Sequence, residues 1–202
     1  ERNIIMEIKK VSRDFYNRNT LVIAEEILGK TLVHVTKEGV TKGKIVEVEA
    51  YMGSKDKAAH SYKGVRSGRT KIQYGEGGYA YVYLIYGMYI CMNVVTNLKD
   101  IPEVLLIRAL EPVEGIELMK KRRKNTSIKN LCNGPGKLSQ AMGITKDSYG
   151  EDLCGDTLYL EDAVRIKPEE IVKTKRINID YAEEAKDYLW RFLVKGNSYI
   201  SK

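Results

Sequence analysis

Cysteine is scarce: Cys91, Cys132 and Cys154 are odd in number, far apart and without a Cys-x-x-Cys pair. That argues against a disulfide framework and a zinc site and fits a reduced compartment. Histidine is scarcer still. His34 and His60 are the two present, too few for a histidine-rich metal cluster, so neither a metal nor a cofactor is expected. No GxSxG elbow, GxxxxGK[ST] loop or dinucleotide GxGxxG occurs, which leaves serine hydrolases, P-loop NTPases and Rossmann enzymes without a signature. With four prolines in 202 residues, no repeat and no low-complexity block, there is no obvious linker, and the length suits a single domain over 1–202. The opening ERNIIMEIKK mixes acid and base without an apolar h-region, so it does not read as a signal peptide. An intracellular location, cytoplasmic or nucleoid-associated, is the expectation, with a monomer as the default.

What the chain does have is basic charge and tyrosine. The formal charge is +7, which favours a polyanionic partner such as nucleic acid. Five of the fourteen tyrosines fall within YAYVYLIYGMYICMN, residues 79–93, and no charge interrupts the chain from Gly77 to Leu98. A membrane span needs about 20 predominantly apolar residues, whereas this run is rich in Tyr, Gly, Asn and Thr. It reads as a hairpin: Tyr79, Tyr81 and Tyr83 on one face of a strand, Tyr86 and Gly87 at the tip, and a returning strand from Tyr89 to Thr96.

Elsewhere NTLVIAEEILG predicts a helix capped at Asn19 or Thr20, with Leu21, Ala24, Ile27 and Leu28 inward and Gly29 as the stop. KTLVHV and TKGKIVEVEAYMG alternate as strands about a TKEG turn, placing Ile45, Glu47, Glu49 and Tyr51 on one face. IPEVLLIRALEP predicts a buried strand with Arg108 intruding. A helix is expected from Pro112 through a basic run at Lys120–Lys124, a second after the Gly-Pro-Gly turn in LCNGPGKLSQAMGI, and then further strands with a closing helix around YLWRFLVKG. The fold class is therefore α+β: a curved, mostly antiparallel sheet flanked by helices, with a protruding hairpin.

Singly, the polar candidates have ordinary readings. Glu47 and Glu49 suit a polar strand face, His60 a surface or satisfied core residue, Arg66, Arg69 and Lys71 a solvated loop, and Lys137 a helix start able to hold an anion. Together, a strand carboxylate, neighbouring aromatics, a tyrosine on a hairpin tip and basic loops are the parts needed to extrude a base and hydrolyse its glycosidic bond.

VEAYMGSKDKAAHSY, YAYVYLIYGMYICMNVVT, VLLIRALEP and CNGPGKLSQAMGI occur in this order, and with them the chain, from about 14 to 196, resembles the alkyladenine (3-methyladenine) DNA glycosylases of base-excision repair. The resemblance implies a fold like the C-terminal domain of formyltransferases. Its implied partner is double-stranded DNA containing damaged purines, with no membrane, and its implied reaction is monofunctional hydrolysis by an activated water. By position it implies Glu49 as general base and Arg108 as an arginine holding the water and a phosphate. Tyr51 would lie on one face of the flipped base, His60 and Tyr83 toward the other, and the Ala58 backbone at its edge. It makes Tyr86 the intercalating residue and Asn93 the one that disfavours undamaged guanine. It places Ile177 beside the water site; Arg66 and Arg69, as phosphate clamps on their loop, and Lys137, at its helix start, are the expected DNA contacts read from the residues themselves. Two departures stand out: Thr70 follows Arg69 where many relatives have an Arg-Asn pair, and Asn178 stands where relatives often have glycine. Two rivals explain part of this pattern, a non-catalytic nucleic-acid binder and a formyltransferase-related domain. The first has no use for an acid in an anionic groove, and the second does not account for VEAY together with YGMY.

Overall fold

A computed structural model describes residues 8–202; the amino-terminal stretch read for a signal peptide lies, through residue 7, outside them. Two short helices come first, α1 (Arg13–Tyr16) and α2 (Thr20–Glu26). Asn19 caps α2, its side chain accepting the Leu21 and Val22 N–H groups at 3.0 and 3.3 Å, donors that a helix start otherwise leaves open. Ile23, Ala24, Ile27 and Leu28 are buried. Ile23 thus takes the core place expected of Leu21, which is half-buried.

Among the described residues, eight strands build the sheet: β1 (Thr31–Thr36), β2 (Gly39–Tyr51), β3 (Ala80–Ile85), β4 (Tyr89–Thr96), β5 (Glu103–Glu114), β6 (Leu158–Glu161), β7 (Ile171–Thr174) and β8 (Arg191–Val194). Their order is β3-β4-β5-β2-β1-β6, and the far end of β2 also pairs with β8, which carries β7. All pairings are antiparallel, and the sheet curls into half a barrel, so the architecture is α+β as expected. The hairpin of β3 and β4 returns at Tyr89, as the tyrosine pattern suggested. No helix among the described residues is long and apolar enough to cross a membrane.

Two expectations are corrected. Pro112 does not start a helix: it lies in β5 opposite Gly43, beside a register shift where the ladder is already interrupted, so its missing N–H costs little. Helix α3 (Ile116–Arg123) begins only after Gly115, whose φ of +75° and 2.3 Å approach of a notional Cβ to the Val40 carbonyl demand glycine. The YLWRFLVKG segment is not a closing helix either. It supplies β8, because pairing with β2 on one side and β7 on the other outweighs local propensity. The short helical turn nearby is Asp180–Asp187, of 3-10 type.

The two faces of the sheet differ. One carries Ile45, Val48, Ala50, Val82, Met92, Val94, Leu105 and Ile107, packed with α2, α3 and α4 (Pro135–Met142); each buried aliphatic side chain contributes about 1.5–3 kcal/mol. The other carries Tyr81, Val95 and Val104 with Tyr51, Tyr79 and Tyr83. Ile45 belongs to the first face, apart from the Glu47 and Glu49 face expected for it. The register of β2 on β5 shifts on both sides of Glu47, so Val46 opposes nothing and the alternation changes phase there. A bulge of this kind re-aims side chains; here it turns two carboxylates away from the oily face.

Candidate active site

Cross-strand register brings distant residues into line on the polar face. Glu49 opposes Leu106, Leu106 opposes Asn93, and Asn93 opposes Tyr81. Arg108 sits in the second register shift and stands beside both strand carboxylates. Its Nη1 donates to Glu49 Oε1 and its Nε to Glu47 Oε1, each at 3.1 Å. Glu49 is fully buried. Its Oε1 also accepts the Tyr51 hydroxyl at 3.1 Å, and its Oε2 accepts the Ile177 N–H at 2.6 Å. A carboxylate offers about four acceptor positions, so three donors leave one, on Oε2, for a water.

Glu47 is surrounded differently. Besides Arg108 it accepts Arg191 Nε at 2.8 Å, the Ser201 N–H at 2.7 Å and the Ser201 hydroxyl at 2.8 Å. Burial favours its neutral form, but the Ser201 and Arg191 hydrogen bonds outweigh that and hold the carboxyl below its ordinary value.

Aromatic walls rise beside this floor. A buried clip fixes Tyr51: Arg176 pairs with both oxygens of Asp56 at 2.6 and 2.9 Å and lies 4.9 Å from the Tyr51 ring centroid. Asp56 in turn accepts the Met52 and Ala58 N–H groups, so one carboxylate shapes the loop after β2. The Ala58 amide is thereby occupied. Across the cleft His60 meets Tyr83 edge-on, with centroids 4.6 Å apart, and its Nδ1 lies 2.8 Å from the Tyr81 hydroxyl. Burial, aided by the Arg69 charge, pushes His60 down to about 4, so the ring is neutral near pH 7. Burial also pushes Tyr81 up to about 12, so its hydroxyl keeps its proton.

Tyr51, His60, Tyr81, Tyr83, Arg108 and Ile177 line one cleft of about 740 Å³, shared with Ala58, Asn93, Tyr86, Arg69, Arg123 and Lys137, a size that suits a small organic group; Glu47 and Glu49 are fully buried against Arg108. Asn93 is buried and its Nδ2 donates to the Tyr81 carbonyl at 3.2 Å. Lys137, at the start of α4, donates to Asn133 at 3.1 Å. Arg66 lies apart, exposed, 4.9 Å from the Tyr74 ring and 3.9 Å from Asp100. Thr70 closes the 65–70 loop, accepting the Ser67 N–H and donating to the Val65 carbonyl, each at 3.0 Å. Asn178, at φ +59°, adopts the left-handed conformation that asparagine tolerates better than most residues. At the hairpin tip Tyr86 and Gly87 have φ of +52° and +70°, the turn that two-residue hairpins favour, and Tyr86 is 80 % exposed.

Sequence reasoning missed Tyr81, the Asp56–Arg176 clip, and the Arg191 and Ser201 contacts to Glu47. Tyr81 left a trace, since it shares a face with Tyr79 and Tyr83. The others join residues more than a hundred positions apart and left no local signal.

Residues 14–198 match the model of the family described as methylpurine-DNA glycosylase. The chain belongs to this glycosylase family. Among its relatives, proteins named "Putative 3-methyladenine DNA glycosylase" from Clostridium acetobutylicum and Clostridium novyi are 54% and 53% identical to it, covering 95% and 96% of this chain and 97% and 100% of their own. One of the same name from Alkaliphilus oremlandii is 52% identical over 96% of this chain and 99% of its own. The family is that of DNA glycosylases for alkylated purines.

Proposed function

We propose that the protein is a monofunctional repair glycosylase, which flips an alkylated or deaminated purine out of duplex DNA and hydrolyses its N-glycosidic bond with water activated by Glu49. The observation that carries this is a buried Glu49 with an open acceptor position on Oε2, whose three donors, Tyr51, Arg108 and Ile177, line a tyrosine-walled cleft. Tyr51 stacks on one side of the flipped base, and Tyr83 with His60 on the other. A purine alkylated at N3 or N7 is cationic, so these π faces favour it by about 0.5–2 kcal/mol. A neutral His60 adds no repulsion. Water oxygen bonds to the sugar C1′, its proton passes to Glu49, and the base departs with the bonding electron pair, neutral if it was cationic. Positioned proton transfer contributes roughly 10²–10⁴ in rate.

Tyr86 takes the place of the extruded base in the stack. Asn93 and the Ala58 backbone read the base edge. Arg69, Lys137 and the more distant Arg66 hold phosphates. A single domain acting as a monomer on double-stranded DNA completes the proposal, with no metal, cofactor or membrane required. The test is release of free base from a methylated duplex by wild type and by Glu49→Gln, with alkali treatment of parallel samples and borohydride trapping. Wild type is expected to release base and leave alkali-labile, unnicked strands, while Glu49→Gln binds DNA and loses about 10²–10⁴ in single-turnover rate. A trapped protein–DNA adduct would replace water with a lysine nucleophile; Lys137 and Lys202 line the cleft. A Glu49→Gln rate within about tenfold of wild type would remove Glu49 as base.

A further inference from the structure

Two carboxylates share one guanidinium, yet their surroundings suit them to different work. Glu47 and Glu49 both lie on Arg108 at 3.1 Å and both are fully buried. Glu47 receives four donors, Arg108, Arg191 and the Ser201 hydroxyl on Oε1 and the Ser201 N–H on Oε2, and neither Arg191 nor Ser201 is among the residues lining the cleft. Glu49 receives three, from Tyr51, Arg108 and Ile177, all of which line it.

The uncharged groups around Glu49 are Tyr51 on its own strand, Tyr83 on β3, Cys91 on β4 and Tyr181 beyond β7. Burial raises all four, so they remain protonated near neutral pH. Behind Tyr51, Arg176 is matched by Asp56. Arg108, Glu47 and Arg191 therefore set the charge that Glu49 feels.

We propose that Glu47 is a positioning residue which, with Glu49 as the base, holds half of Arg108 and so prevents that cation from quenching the basicity of Glu49. Arg191 and Ser201 anchor Glu47. Without the second anion, Arg108 would bear on Glu49 alone. An adjacent cation favours the ionised form of a carboxylate and an adjacent anion disfavours it. Removing Glu47 therefore moves protonation of the base to lower pH and weakens it, and removing Arg191 does the opposite.

The experiment measures single-turnover release of methylated base by the full chain from DNA treated with a methylating agent, from about pH 5 to 9, with enzyme-free release subtracted. For Glu47→Gln the acid limb is expected to fall by about one pH unit and the plateau by about tenfold. For Arg191→Gln the acid limb is expected to rise by about half a unit or more. A merely structural role would lower rate and melting temperature without moving the limbs in opposite directions. Arg191 lies on β8 between β2 and β7 and its side chain keeps some exposure, so its variant carries the test if Glu47→Gln does not fold. Glu49→Gln is the control. If it is inactive while both limbs stay at the wild-type pH, the positioning role is overturned and Glu49 remains the base. If it is active and Glu47→Gln is not, Glu47 is the base and both readings fall.

Discussion

The floor of the cleft and the tip of its hairpin come from the same sheet and are built on opposite rules. At the floor, Glu47, Glu49, Asp56 and Arg176 are buried, and their charged ends are met by partners reached across the whole chain. At the tip, Leu84, Tyr86 and Met88 leave more than half of each residue exposed to solvent. Isolated apolar exposure is ordinary on a protein surface; three such residues around one strained turn suit insertion into another molecule. On the proposed reading, the floor is arranged before substrate arrives, while the tip becomes useful only once DNA surrounds it. A change at the floor should therefore cost stability, and a change at the tip should cost function alone.

The largest expected effect follows from cutting the clip. Arg176→Met leaves Asp56 buried without its cation, which costs about 3–5 kcal/mol for a broken buried pair, and it also frees the Met52–Ala58 loop that Asp56 shapes. Chemical denaturation with urea measures it. A loss under about 1 kcal/mol would mean that the pair is dispensable and that the floor owes its order to apolar packing. At the tip, Tyr86→Ala should change stability by less than about 0.5 kcal/mol, while base release from a fully paired duplex falls about tenfold or more, because the vacated stack loses its filler. Tyr86→Gly sharpens the contrast. Relief of the positive φ is worth up to about 1 kcal/mol, so the free protein should gain stability as excision falls. If either variant melts markedly lower than wild type, the tip is part of the core after all.

The same contrast explains what was legible in the sequence. The hairpin and its return at Tyr89 were readable, because alternating tyrosines on either side of Tyr86-Gly87 are a local signal. The cap on α2 was readable to within one residue, Asn19 or Thr20. The floor was half-readable: Glu49, Tyr51 and Arg108 stand in motifs, but the bulge that turns Glu47 and Glu49 together depends on how β2 meets β5. Pro112 misled because proline at a helix start and proline at a strand irregularity look alike until the partner strand is known. Nothing near Glu47 announces Ser201, 154 positions away.

The smallest effect expected is also the one that ties wall to substrate. His60 is held near 4 when folded, against an ordinary 6.5, so its folded value is depressed. As pH falls through 6.5 the unfolded chain takes up a proton that the folded protein refuses, and stability present above that pH is lost progressively until about 4. Allowing for the partial exposure of the ring, the loss should be about 1 kcal/mol. His60→Gln keeps a polar partner for Tyr81 and has no such proton to refuse. Its melting temperature, followed from about pH 7 down to 4 beside that of wild type, should therefore fall less steeply, and the two curves should run parallel above pH 7. Parallel curves throughout would show that the ring titrates freely, and the wall would then carry positive charge in mild acid. A cationic purine would be repelled by that wall, so the same titration decides whether the aromatic slot can favour a charged base as strongly at pH 6 as at pH 8.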